Sequence, residues 1–129
     1  VSIGNRQSAA PSVGNMHELS IAMSMVEMAT EKAAQMGCVQ VCVLHLKLGQ
    51  LSGVVKDALL FSWDVACEGT PLAGSRLVIE DVPVIVRCSV CREERNLTSI
   101  QNFFCPVCNA PTPEILHGKE LEVTAMEVL

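Results

Sequence analysis

The sequence predicts an α+β fold: two helices packed on a three-stranded sheet, interrupted late in the chain by a small cysteine-bearing insert. Three observations predict it. Residues 20–36 and 55–69 carry apolar side chains at helical spacing. Residues 39–49, 75–82 and 120–128 are β-branched or alternate between apolar and polar. Residues 84–116 break both patterns, being rich in Cys, Pro and Asn and short of large aliphatics after Ile85.

Taken in order, residues 1–15 are rich in Gly, Ser, Asn and Pro and lack an apolar core of signal-peptide length. They read as a disordered leader, an expression scar that leaves Met16 as the biological first residue. In 20–36, Ile21, Met25, Met28 and Met36 recur near helical spacing, with Ala22, Ala29 and Ala33 widening the stripe. Ser20 is placed to cap the start and Gly37 the end. Glu18 lies just upstream, where the positive end of a helix favours a carboxylate.

In 39–49, Cys42, Leu44, Leu46 and Leu48 are expected on the core face, with Val41, Val43, His45 and Lys47 on the other. The second helix should bury Leu59, Leu60, Trp63 and Cys67 and end at Gly69. Strands 75–82 and 120–128 complete the sheet. The two helices cover one of its faces. Val41, Val43 and Val78 on the other face suggest some self-association.

The chain has 129 residues and a net charge of −5, so nothing in its balance attracts nucleic acid or anionic membrane. No apolar run approaches the length of a membrane span. An odd count of seven cysteines without a secretion signal argues against a disulfide framework and for a cytoplasmic protein. Cys38, Cys42 and Cys67 sit among apolar residues and read as small buried hydrophobes.

The other four cysteines form two C-x2-C pairs, Cys88 with Cys91 and Cys105 with Cys108, thirteen residues apart. Four thiolates so spaced can wrap a tetrahedral zinc. The local apolar supply is thin: Val90, Leu97, Ile100, Phe103, Phe104 and Val107. A zinc ribbon whose metal is structural is therefore the expected reading. Iron is the alternative that four sulfurs also suit, and a redox dithiol is a third. Four sulfur ligands leave no open position for catalysis.

His45 and His117 read as surface histidines. His17 differs by its place. If Met16 is the first residue, its amine, the His17 amide and the His17 imidazole can converge on one metal, with the Glu18 amide as a fourth nitrogen. Such tetragonal nitrogen chemistry suits nickel(II) or copper(II).

These residues carry a resemblance. "MHELSIA", "LKLGQLSGV", "GSRLVIE" and the paired cysteines followed by "GKELEVTAMEV" are similar to the HypA/HybF family of hydrogenase-maturation nickel metallochaperones, over residues 16–129. The resemblance implies a nickel site at Met16, His17 and Glu18 in an α/β domain of residues 16–83 with 117–129. It implies a zinc-ribbon domain at 84–116 holding structural Zn2+ on Cys88, Cys91, Cys105 and Cys108. Ni2+ is then a transient cargo. The implied partners are a HypB-type nickel GTPase and the large subunit of a nickel–iron hydrogenase, with urease a further client of some relatives. Two departures stand out. Gln50 follows the strand-ending glycine where relatives commonly have Glu, and residues ahead of Met16 turn its amine into an amide.

No catalytic constellation is visible, so the expected function is a non-enzymatic nickel carrier. The main rival is a zinc-ribbon adaptor that bridges proteins or binds nucleic acid with no nickel role. A zinc hydrolase or thiol oxidoreductase comes third.

Overall fold

The computed structural model describes residues 2–6, 15–97, 103–112 and 114–129, with side chains from His17 onward. Its elements are β1 (Ser2–Arg6), α1 (Asn15–Gln35), β2 (Val41–Gly49), α2 (Lys56–Cys67), β3 (Arg76–Val82), β4 (Val84–Cys88), β5 (Glu93–Leu97), β6 (Glu114–His117) and β7 (Leu121–Val128). The main sheet has the order β1-β7-β2-β3. β2 and β3 are parallel, so the chain between them must cross over the sheet, and α2 is that crossover. β7 returns antiparallel to β2.

Both helices lie on one face. Ile21, Ala22, Met25, Val26, Ala29 and Ala33 of α1 and Leu59, Trp63 and Cys67 of α2 bury against Leu44, Leu46, Leu77, Val123 and Met126. The expected helices-on-sheet layer is therefore present, with one strand more than the three expected. Ser2–Arg6, expected to be disordered, pairs antiparallel with β7. The open edge of β7 offers main-chain N–H and C=O groups that a short segment of almost any sequence can pair with. Residues 1 and 7–14 of the expected leader lie outside the described residues.

Three local details differ from the sequence reading. α1 begins at Asn15, not Ser20, which brings Met16, His17 and Glu18 into its first turn. Its end is as expected. Gly37 takes a φ of 73°, the Cys38 N–H donates to the Ala33 carbonyl at 2.9 Å and the Gly37 N–H to that of Ala34 at 3.1 Å. This double closure needs a residue that tolerates the left-handed region. In β2, the register against β7 shifts between Val41 and Val43. The irregularity turns Val41 into the core, fully buried, and leaves Cys42 half-buried. Val41 is thus removed from the outer face, whose apolar character shrinks accordingly. Third, Leu60 of α2 is exposed, not buried.

The insert forms a second antiparallel sheet, β5-β4-β6. Its buried core is Val84, Val86 and Leu97, with Leu51, Phe103 and Ile115 packed against them. Val90, Phe104 and Val107, counted above in its apolar supply, are exposed. Ile100 lies outside the described residues. Main-chain contacts join the two sheets. The Gly49 N–H donates to the Glu120 carbonyl at 2.7 Å and the Leu51 N–H to the Gly118 carbonyl at 2.6 Å. A Cβ at Gly49 would overlap the Gly118 carbonyl and the Glu120 nitrogen, so only glycine fits at this crossing.

Candidate metal centres

The four cysteines come together on two matching turns. β4 ends at Cys88 and turns back through Cys91 and Arg92. The Arg92 N–H donates to the Cys88 carbonyl at 2.7 Å, and the Asn109 N–H donates to the Cys105 carbonyl at 2.8 Å. In each turn a main-chain N–H also points at the leading sulfur, Cys91 N to Cys88 Sγ at 3.3 Å and Val107 N to Cys105 Sγ at 3.4 Å. The residue after each second cysteine has positive φ, 58° at Arg92 and 62° at Asn109. Asn tolerates this region, whereas Arg does so at a cost. Arg92→Gly should stabilise the insert by up to about 1 kcal/mol, the strain relieved less the entropy a glycine adds to the unfolded chain. A higher chelator concentration at half-unfolding would show it.

The sulfurs interlace across the turns. Cys88 Sγ lies 3.4 Å from Cys108 Sγ, and Cys91 Sγ 4.0 Å from Cys105 Sγ. All four are within 4.8 Å of one another. A tetrahedron with metal–sulfur bonds of about 2.3 Å has edges of about 3.8 Å, which these separations bracket. The donor set fits a closed, all-sulfur site.

The electrostatics favour the thiolate at Cys105 and Cys88 and oppose it at Cys108. The main-chain N–H of Cys108, then that of Val107, draws Cys105 down to about 6 against the opposing effect of burial. Cys88 is likewise lowered, chiefly by the Cys91 N–H. Cys108 takes up the burden. The Ala110 main chain lowers it, but Cys88, burial, Cys91 and Cys105 together push it up to about 12. A metal must displace that proton, so loading acidifies the solution.

Arg95 was not singled out by the sequence. Its guanidinium bonds Glu93 at 2.9 Å, and its charge is reinforced by Glu93 first, then by the Cys105 and Cys91 sulfurs. It therefore stands beside the cluster as a counter-charge to thiolates. Arg95→Leu should shed metal about 10–100-fold more readily, the usual cost of losing an outer partner. Competition with a coloured chelator measures this, and an unchanged loss rate would remove the role.

The second candidate is the first turn of α1. Glu18 is fully buried. Its Oε2 accepts the Val55 N–H at 3.1 Å and lies 3.6 Å from His17 Nδ1. Val55 is the N-cap of α2 and has no side-chain cap of its own. The Glu18 carboxylate supplies it, at the positive end of the helix. The His17 side chain is only 9% exposed. Both of its ring nitrogens and Glu18 Oε1 are buried without a hydrogen-bond partner. Three unsatisfied buried polar atoms on successive residues are costly unless something binds them. Met16 shares the turn, and its nitrogen is here a peptide nitrogen bonded to Asn15.

The structure places His17 in a buried helical turn, ahead of the helix start that the sequence led one to expect. The sequence reading placed Glu18 beside a helix but did not see which helix its carboxylate serves. A valine at an N-cap position was the available signal, because the cap then has to come from elsewhere. Among the described residues the cysteines form the one group of three or more ligating side chains; His17 and Glu18 bring two. The other histidines are engaged, His45 with Glu127 at 2.9 Å and His117 with Glu120 at 3.2 Å. Of the remaining cysteines Cys67 is buried, its thiol pushed up by desolvation, while Cys38 and Cys42 are half-buried.

A family model described as hydrogenase/urease nickel incorporation, metallochaperone, hypA matches residues 16–128. A hydrogenase maturation factor HypA of Chloroflexus aurantiacus is 51% identical over 112 residues, covering 87% of this chain and 98% of that protein. Its counterpart from Roseiflexus is 53% identical over 112 residues, covering 87% and 91%. The solution structure of the Ni metallochaperone HypA from Helicobacter pylori aligns with a TM-score of 0.60 at 19% identity, over 87% of this chain and 97% of that one. Another HypA solution structure aligns at 0.64 and 21% identity, over 90% and 98%. At these identities the structures speak for the fold.

Proposed function

This chain belongs to the HypA family of nickel-incorporation metallochaperones, and we propose that it holds its Ni(II) cargo at the Met16–His17–Glu18 turn for delivery during nickel–iron hydrogenase maturation. The observation that carries this assignment is the trio of buried, unpartnered donor atoms on His17 and Glu18. The turn adds main-chain nitrogens. At the start of a helix the first N–H groups have no intrahelical partner, which leaves those of Met16 and His17 outside the helix ladder. Nitrogen-rich sets with a square preference suit nickel(II).

Cys88, Cys91, Cys105 and Cys108 then hold a structural zinc, which supplies folding energy to residues 84–116 and no reaction step. The protein acts as a carrier in the cytoplasm and not as an enzyme. Its partners are a HypB-type nickel GTPase and the hydrogenase large subunit, with a second copy of itself on the outer sheet face a weaker candidate. Nickel titration tests the site. A form beginning at Met16 has a free amine and should bind more tightly than the longer chain, with a different absorption spectrum. Equal affinity and identical spectra would remove the amine from the ligand set.

A further inference from the structure

The Glu18 carboxylate has two oxygens in different circumstances. Oε2 is committed to the Val55 N–H at 3.1 Å. Oε1 is buried and has no partner, in the residue next to a histidine whose ring nitrogens are also unpaired. We propose that Glu18 is a two-ended link, with Oε1 toward the nickel cargo and Oε2 on the N-terminus of α2, so that nickel occupancy and the seating of Val55 stabilise each other. This rests on the assignment of nickel to the 16–18 turn.

The segment that Oε2 holds is one a partner can reach. Gly53 and Asp57 are exposed, and the Val55 side chain is 56% exposed although its N–H points inward to Glu18. Besides the Glu18 bond, residues 52–56 are held by the Ser52 N–H on the Gly49 carbonyl at 3.1 Å, the Val54 N–H on Ser52 Oγ at 3.2 Å, the Leu59 N–H on the Val55 carbonyl at 3.0 Å and the exposed Lys56–Asp81 pair at 2.8 Å. Pulling Val55 outward breaks the Oε2 bond and frees the carboxylate to rotate. Nickel then loses the orientation of one ligand without any contact being made at the metal. Coupling of this kind is reciprocal, so whatever factor nickel adds to loop closure is the factor by which loop opening weakens nickel. Glu18 is thereby a positioning residue for release as well as a ligand.

Hydrogen exchange of residues 51–58, with and without one equivalent of nickel, reads the link directly. In the unaltered chain nickel should slow exchange there by at least about fivefold, the low end of ordinary coupling. Glu18→Gln keeps an oxygen for the Val55 N–H but offers nickel only a neutral amide. In it, bound nickel should leave the exchange of this segment unchanged. Val55→Pro removes the one N–H at issue, at a φ of −84° that proline can approach. It should lose nickel affinity by the factor measured in the exchange experiment. Unchanged or faster exchange in nickel-loaded unaltered protein would overturn the link, faster exchange meaning that the carboxylate leaves α2 to reach the metal. Undiminished nickel affinity in folded Val55→Pro would do the same. His17→Ala separates the two claims. If it still binds nickel like the parent, the site itself is wrong and the link falls with it. If it loses nickel while the parent's exchange ignores nickel, the site stands and the link alone fails.

Discussion

Cys105→Ser should release the metal proposed for the four cysteines and unfold residues 84–116, while the helices and main sheet stay folded. The expectation follows from unequal resources. Among the described residues the insert's buried aliphatic core is Val84, Val86 and Leu97, whereas bound zinc contributes on the order of 10–16 kcal/mol in comparable modules. The main core has its own supply on α1, α2 and the sheet. Amides of β4 and β5 should lose exchange protection, and zinc content should fall to nothing. Trp63, whose indole N–H donates to Ser75 Oγ at 3.1 Å inside the main core, should keep its emission. Retained stoichiometric zinc, or loss of the Trp63 signal along with the insert, would contradict this division. Acid should act on the insert in the same direction, because protons compete with a metal for the thiolates, and Cys105, drawn down from 9.0 to about 6, keeps its charge until the pH falls through about 6.

His17→Ala should abolish the nickel binding proposed for this turn and shift metal-free stability by no more than about 1 kcal/mol. Two opposed effects make the second half so. Removing the imidazole leaves a small void, but it also removes two buried nitrogens that have no partner. Glu18→Ala differs on both counts. It takes the acceptor from the Val55 N–H, which costs about 1–2 kcal/mol as the loss of a cap does. Calorimetric titration with nickel and thermal unfolding of the two metal-free variants separate these outcomes. Unaltered nickel affinity in His17→Ala would overturn the site. A stability loss as large as that of Glu18→Ala would mean that the imidazole packs better than its unpaired nitrogens suggest.

Both metal ideas start from local sequence, but to different extents. The cysteine turns are short-range objects, so the C-x2-C spacing conveys nearly the whole centre. What it omits is Arg95, which reaches the sulfurs from a strand whose charge pattern looks neutral. The helices and strands are legible where period meets burial, as in Leu44, Leu46 and Leu48. Alternation misleads at Val41 because it assumes an unbroken ladder, and the register shift lies in the pairing with β7, far along the chain. The start of α1 is hidden because Asn15–Leu19 has no apolar period to announce it. β1 is hidden because five residues of mixed character say little, and main-chain pairing places them. The Glu18–Val55 bond spans 37 residues. No local pattern reports such a contact, except as an absence, a helix whose N-cap cannot cap.

The position of β7 has a consequence for how the chain acquires its shape. It lies inside the main sheet, between β1 and β2, yet it is made only after the whole insert. Partners such as His45 and Glu127 are 82 residues apart. During synthesis β2, α2 and β3 can assemble early, because their contacts are closer in sequence. One flank of β2 must wait, bare, until residues 121–128 emerge. Pairings this distant form slowly, and an uncovered strand edge recruits other chains. A metal held on the four sulfurs would shorten the wait, because it would collapse the intervening excursion and bring Gly118 back to Gly49. Such a metal would act during biogenesis as a timekeeper for a sheet it never touches.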